Sequence, residues 1–193
     1  MKITRDSLLT LEAYARERPA FRRRVLEHKK RRAVQVGEHV TLLFEDELTI
    51  RYQIQEMLRI EKTFEEAGIQ DELEVYNPLV PDGSNWKATM LVEYEDVEER
   101  QRALARLRGI EANVWVRVEG EQPVYAIADE DLERDNPEKT ASVHFLRFEL
   151  EPAMIAALRS GATLAIGIDH PEYGAAVDPV SEAIRSALIA DLA

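Results

Sequence analysis

An α+β fold is predicted by three observations. Apolar residues at spacings of three and four, such as Ile50, Ile54, Met57, Leu58 and Ile60, mark helices. Strict alternation, as in Val114, Val116 and Val118, marks strands. The turn Gly120-Glu121 then sends Val124 to Ala128 back along that strand, an antiparallel hairpin. The expected architecture is a mostly antiparallel or mixed sheet of about five to seven strands with helices against one face, led by an N-terminal helical arm. The 193 residues are within reach of one domain with one core, so 1–193 is read as a single unit.

The elements follow in order. Asp6 caps a first helix over Ser7 to Glu17, Pro19 breaks it, and a second helix runs from Pro19 to Arg32. Val34 to Val36 and Val40 to Phe44 flank Gly37-Glu38-His39 as short strands. A long helix spans Leu48 to Ala67, stopped by Gly68. Asn77-Pro78 and Pro81-Asp82-Gly83-Ser84-Asn85 punctuate a long loop that could bind something. Ala88 to Tyr94 is a strand, and Asp96 with Glu99 forms a capping box for a helix reaching Gly109. After the hairpin comes an acidic loop, Asp129 to Asp135. A strand over Ser142 to Leu150, a short helix over Pro152 to Ser160, a strand over Thr163 to Asp169 and a final helix capped by Asp178-Pro179 complete the chain.

Composition excludes whole classes of chemistry. Hydrophobic residues at 45% and charged residues at 32% describe a folding chain, not a disordered one. No apolar run approaches a membrane span and the first residues carry no signal-peptide core, so the cytoplasm is the expected location. The absence of cysteine removes disulfides, thiolate zinc sites, iron–sulfur ligation and a thiol nucleophile. The four histidines lack the Glu-x-x-His pairs of di-iron bundles, and no dinucleotide, P-loop or nucleophile-elbow glycine pattern occurs. No resident metal or cofactor is expected.

Charge is unevenly divided. Residues 1–37 hold eleven Lys/Arg against four Asp/Glu, or +7, and the overall −12 leaves −19 for 38–193. The chain is therefore a basic helical arm on an acidic body. The arm is expected to lie against that body or against an acidic partner. Nucleic acid is disfavoured, because no aromatics interleave with the basic residues and the whole chain repels phosphate.

Two polar clusters stand out as candidate ligand-binding groups. Helical spacing stacks Arg51, Gln55 and Arg59 along one edge with Tyr52 and Glu56 beside them. Asp169-His170-Pro171-Glu172-Tyr173 follows a strand whose Leu164, Ile166 and Ile168 share a face with His170. Asp82 and Asn85 of the loop and Arg147 complete the candidate set, with Asp82 or Glu56 as conceivable partners for a buried Arg147. An Arg-Gln ladder on a solvated helix face and a turn cap before Pro171 are the plain structural alternatives. No catalytic residue is assigned.

Several stretches together carry a resemblance: Thr41-Leu42-Leu43-Phe44-Glu45, Arg51 to Arg59, Tyr76 to Asn85, Val143 to Leu150, and Gly167-Ile168-Asp169-His170-Pro171 with Tyr173. They resemble the bacterial Domain of Unknown Function 3501 family over nearly the whole chain. The family implies no established activity. It implies a context, since members are commonly encoded beside a rubrerythrin-type protein and an iron–sulfur oxidoreductase of the heterodisulfide-reductase or glycerol-3-phosphate-dehydrogenase kind. A chain without cysteine or a di-iron motif would serve such a peroxide or iron redox system as an accessory or interaction protein, and those two proteins are its expected partners. A small-ligand-binding protein or enzyme is the second expectation, and nucleic-acid binding through the arm the third.

Overall fold

A computed structural model describes residues 2–128 and 139–193; the expected acidic loop over 129–135 lies outside them. The helices are α1 (Leu11–Lys29), α2 (Glu47–Glu61), α3 (Glu66–Tyr76), α4 (Val97–Arg106), α5 (Pro152–Arg159) and α6 (Glu182–Ile189). The strands are β1 (Ala33–Val36), β2 (Val40–Glu45), β3 (Asn85–Val92), β4 (Val114–Val118), β5 (Val124–Tyr125), β6 (Ile127–Ala128), β7 (Val143–Glu149), β8 (Leu164–His170) and β9 (Tyr173–Val177). The fold is α+β, and its strands divide between two antiparallel sheets, ordered β1-β2-β3-β7-β6 and β5-β4-β8-β9.

Both sheets contribute to one hydrophobic core. Leu42, Phe44, Trp86 and Met90 from the first and Val114, Val116, Leu164 and Ile166 from the second are almost fully buried. Leu104 of α4, Leu158 of α5 and Leu188 of α6 join them. Alternation chose the inward residues, as β7 shows with His144, Leu146 and Phe148 buried and their neighbours half-buried. The expected hairpin after β4 is split: β5 pairs with β4 and β6 pairs with β7, so the chain crosses between sheets near Ala126. On the other side Tyr173 of β9 donates its hydroxyl proton to Val36 O at 2.6 Å and accepts from the His39 N–H at 3.0 Å. Gly37 takes φ +71° in the β1–β2 turn, where a Cβ would stand 2.5 Å from the Tyr173 hydroxyl.

The segment before α1 together with α2 and α3 forms a second, smaller core from Ile3, Leu8, Ile50, Ile54, Leu58, Ile69 and Leu73. Each fully buried aliphatic side chain there contributes about 1.5–3 kcal/mol. Two helix boundaries differ from expectation. Pro19 does not break the arm: α1 is continuous through it, capped by Thr10 rather than Asp6, with Thr10 Oγ1 accepting from Ala13 N. Pro19 and Ala15 are both exposed, so water can serve the carbonyl that the missing N–H leaves open. The long second helix stops early, at Lys62, which adopts φ 56° while Thr63 N–H closes on Leu58 O. Gly68 then lies inside α3 instead of ending α2.

α2 begins on a reciprocal cap, with Asp46 Oδ1 accepting from Thr49 N at 3.0 Å and Thr49 Oγ1 accepting from Asp46 N at 2.9 Å. β9 was not foreseen, because Tyr173 to Val177 lacks the long apolar side chains that mark a strand. No helix among the described residues is long and apolar enough to cross a membrane.

Candidate functional site

The α1–α2 seam gathers more of the expected polar residues than any other place. Residues Tyr14, Arg18, Phe21 and Val25, spaced four, three and four, put one face of α1 against α2. Glu56 sits between the two helices. It accepts from the buried Tyr14 hydroxyl at 2.7 Å and from Arg18 Nε and Nη2 at 2.7 and 2.8 Å, with Arg59 at 3.4 and 3.3 Å. Arg18 above all, then Tyr14 and Arg59, pull its carboxyl down to about 2 against the opposing effect of burial. The same seam pushes the Tyr14 phenol up, first by burial and then through Glu56.

Gln55 is buried and has both ends of its amide engaged on one residue. Its Oε1 accepts from Leu9 N at 2.7 Å and its Nε2 donates to Leu9 O at 3.3 Å. Gln55 and Glu56 therefore fasten the segment before α1 and α1 itself to α2. The amide oxygen and nitrogen of Gln55 and both carboxylate oxygens of Glu56 are thus engaged in holding these segments together.

Arg51 and Tyr52 meet a different environment at the outer part of the seam. Phe21 stands edge-on to Tyr52 with centroids 5.9 Å apart. Arg24 lies 4.8 Å and Arg51 6.0 Å from the Phe21 ring, and Lys29 lies 6.0 Å from the Tyr52 ring. Arg51 Nε is 3.2 Å from Glu47 Oε1, yet that nitrogen is sealed from solvent and out of line for a hydrogen bond. Ser7, Leu9, Glu17, Ala20, Phe21, Arg24, Arg51 and Gln55 line a cleft of about 360 Å³ here.

The remaining candidates lie elsewhere. Asp82 accepts from the Ser84 N–H at 2.9 Å and hydroxyl at 2.8 Å, and the backbone bond leads the lowering of its pKa. Asn85 takes the Asp82 N–H at 3.3 Å and donates to Glu149 at 3.0 Å. Arg147 pairs with that same Glu149, not with Asp82 or Glu56. Asp82, Asn85 and Arg147 are thus linked through Glu149 at the end of the β3–β7 pair where the loop enters. The loop is tied at both ends, by Asn77 to the backbone of Ile3 and by Gly83 O to Ala193 N.

His170 stands apart from both groups. Its Nδ1 accepts from Glu172 N–H at 3.2 Å, which leaves Nε2 to donate to Arg108 O at 3.0 Å. The ring caps the turn that leads through Pro171 into β9. Among the described residues no group of three or more His, Asp and Glu is placed to hold a metal ion.

Phe21, Arg24 and Arg18 fall within the basic arm of residues 1–37 and are not among the candidate ligand-binding groups of the sequence. The signal was the four-three-four spacing on α1, which needed only to be matched with Tyr52 and Glu56 on α2.

The basic arm divides in the structure. Arg32 is fully buried: its guanidinium donates to Phe44 O at 2.9 Å, Glu45 O at 3.1 Å and Ala187 O at 3.3 Å, and pairs with Asp191 and Asp46. His28 Nε2 lies 2.5 Å from Asp46 Oδ2. Burial raises Asp46, but Arg32, the Thr49 N–H and His28 together outweigh it and leave its carboxyl low. Asp191 is raised, burial there prevailing over Arg32. By contrast Arg16, Arg22, Arg23, Arg24 and Arg31 are exposed and make no ion pair among the described residues.

The family model described as "Protein of unknown function (DUF3501)" matches residues 2–192. The chain belongs to this family. It is also 61% identical to a novel protein of unknown function from Burkholderia pseudomallei K96243, known from a crystal structure. That likeness covers 100% of both chains with a TM-score of 0.95, so this DUF3501 fold has been seen in a crystal. No curated protein matches the chain.

Proposed function

We propose that this DUF3501 protein is a cytoplasmic accessory protein that docks an acidic protein partner on the outward face of α1. The observation that carries this is the division of the arm. Its inner charges are consumed by Glu56, Asp46 and Asp191, whereas Arg16, Arg22, Arg23, Arg24 and Arg31 face solvent without an acid among the described residues. Arg16 and Arg23 lie seven residues apart on α1 and so on one line along its surface, which Lys30, ion-paired with Glu27 just past the helix end, extends to about 21 Å at the helical rise. Held on a rigid helix, such a row complements a negative patch and raises the encounter rate.

The partners proposed are the rubrerythrin-type protein and the iron–sulfur oxidoreductase of the family's usual context, in a peroxide or iron redox system. A chain with no cysteine supports a docking role in such a system more readily than an electron-carrying one.

Purified chain and each purified candidate partner would be mixed over a salt series. Binding at low salt that fades as screening shortens, and that weakens at least about tenfold in Arg16→Glu/Arg23→Glu, is the expected result. Failure to bind either protein at low salt overturns the proposal. Retention of random duplex DNA in place of a protein also overturns it. The rings of Phe21 and Tyr52 are already engaged by Arg24, Arg51 and Lys29, which disfavours their stacking on bases.

A further inference from the structure

We infer that the cleft between α1, α2 and the Ser7–Leu9 segment binds a small organic anion, with a carboxylate or phosphate head held by Arg24 and Arg51 and an apolar part against Phe21 and Leu9. The cleft's roughly 360 Å³ lies within the usual range for small-ligand sites. Its walls mix an aromatic ring and aliphatic side chains with two guanidiniums, and Glu17 is the only acid among the described lining residues.

The free donors decide the ligand's sign. Gln55 is committed at both ends to Leu9, and the Ser7 hydroxyl donates to Thr4 O at 2.7 Å while taking the Thr4 N–H at 3.2 Å. Those groups build the floor. Neither Arg24 nor Arg51 makes a hydrogen bond to another described residue, so their donors are what the cleft offers. Guanidinium is a donor with no accepting capacity, and its planar fork matches a carboxylate or phosphate.

Placement supports the same conclusion. The two guanidiniums come from different helices and are both held near one ring, Arg24 at 4.8 Å and Arg51 at 6.0 Å. Stacking on Phe21 restrains them before any ligand arrives, which reduces the ordering cost of binding. Glu47 Oε1 lies 3.2 Å from Arg51 Nε, and the terminal nitrogens of Arg51 make no hydrogen bond to another described residue.

The test is a titration of the whole protein with sodium phosphate and, separately, sodium butyrate, against sodium chloride at matched ionic strength. Arginine side-chain NMR signals are the readout, assigned through Arg24→Lys and Arg51→Lys. Saturable shifts of the Arg24 and Arg51 signals with phosphate, butyrate or both, absent with chloride, support the inference, and the anion that saturates identifies the head group. Arg24→Gln and Arg51→Gln should each weaken saturation about tenfold while thermal unfolding shows an intact fold. Linear shifts alike in all three salts overturn it, as does saturation that survives both Gln variants. Arg16→Glu/Arg23→Glu leaves this titration unchanged, so failure here and failure of the docking reading are separately visible.

Discussion

Glu56 has a side chain only 14% exposed and is surrounded by Tyr14, Arg18 and Arg59. Its folded-state pKa of about 2 lies below the ordinary value of 4.5. A depressed carboxylate stabilises the fold above its unfolded pKa and loses that contribution as pH falls toward the folded value. Stability should therefore decline between about pH 4.5 and pH 2, and Glu56→Gln should flatten that part of the curve while lowering stability at neutral pH by about 2 kcal/mol. Urea unfolding at a series of pH values measures both. Gly167 of β8 illustrates a steric constraint instead. It faces Trp115 across the β4–β8 ladder, and an added Cβ would fall 2.3 Å from Trp115 Cζ2. Gly167→Ala should cost about 1–3 kcal/mol by forcing the indole out of a packed site. Trp115 fluorescence followed through unfolding reports the loss, and an unchanged midpoint would show that the ring moves freely.

At the scale of elements, much was legible because local rules and tertiary packing agree. β4, α5 and β8 lie within a residue or two of the expected bounds, since alternation and the flanking glycines act locally. α1 and α2 departed from expectation where packing outweighed a local signal. Continuity through Pro19 is supported by Tyr14 and Arg18 on one side of the proline and Val25 on the other, all held at the body. Lys62 accepts a left-handed conformation because the chain must reverse for Ile69 and Leu73 to cover Ile50, Ile54 and Leu58. Gln55 is the link between these helices and the leading segment. Gln55→Leu should leave the Leu9 N–H and C=O unpaired, cost about 1–3 kcal/mol and speed amide exchange at Leu9. Unchanged exchange there would show that the clamp contributes nothing.

For the whole molecule, Arg32 and Tyr173 bring distant parts of the chain together. Arg32 joins the end of the basic arm to β2, to the α2 cap and to α6 near the C-terminus. Arg32→Met should destabilise by about 3–5 kcal/mol, because it leaves Asp191 buried without its cation and Asp46 with His28 alone. Asp191→Asn in the same background should restore part of that loss, a recovery that denaturant unfolding can read. The eight polar residues singled out in the sequence show the limit of that reading most directly. Arg51, Tyr52, Gln55 and Glu56 stay together because one helix carries them, whereas Asp82, Asn85 and Arg147 meet along β3 and β7 and His170 closes a separate turn. The sequence by itself determined the α+β class, the absence of thiol chemistry and the charge division, which follow from composition and short-range periodicity, and its motifs carried the resemblance to the family. Only the tertiary structure decided that the strands form two sheets, which arginines are buried in ion pairs and which face solvent, and that Phe21 joins Arg24 to Arg51. Those outcomes depend on contacts between residues far apart in the chain, and no local spacing encodes them.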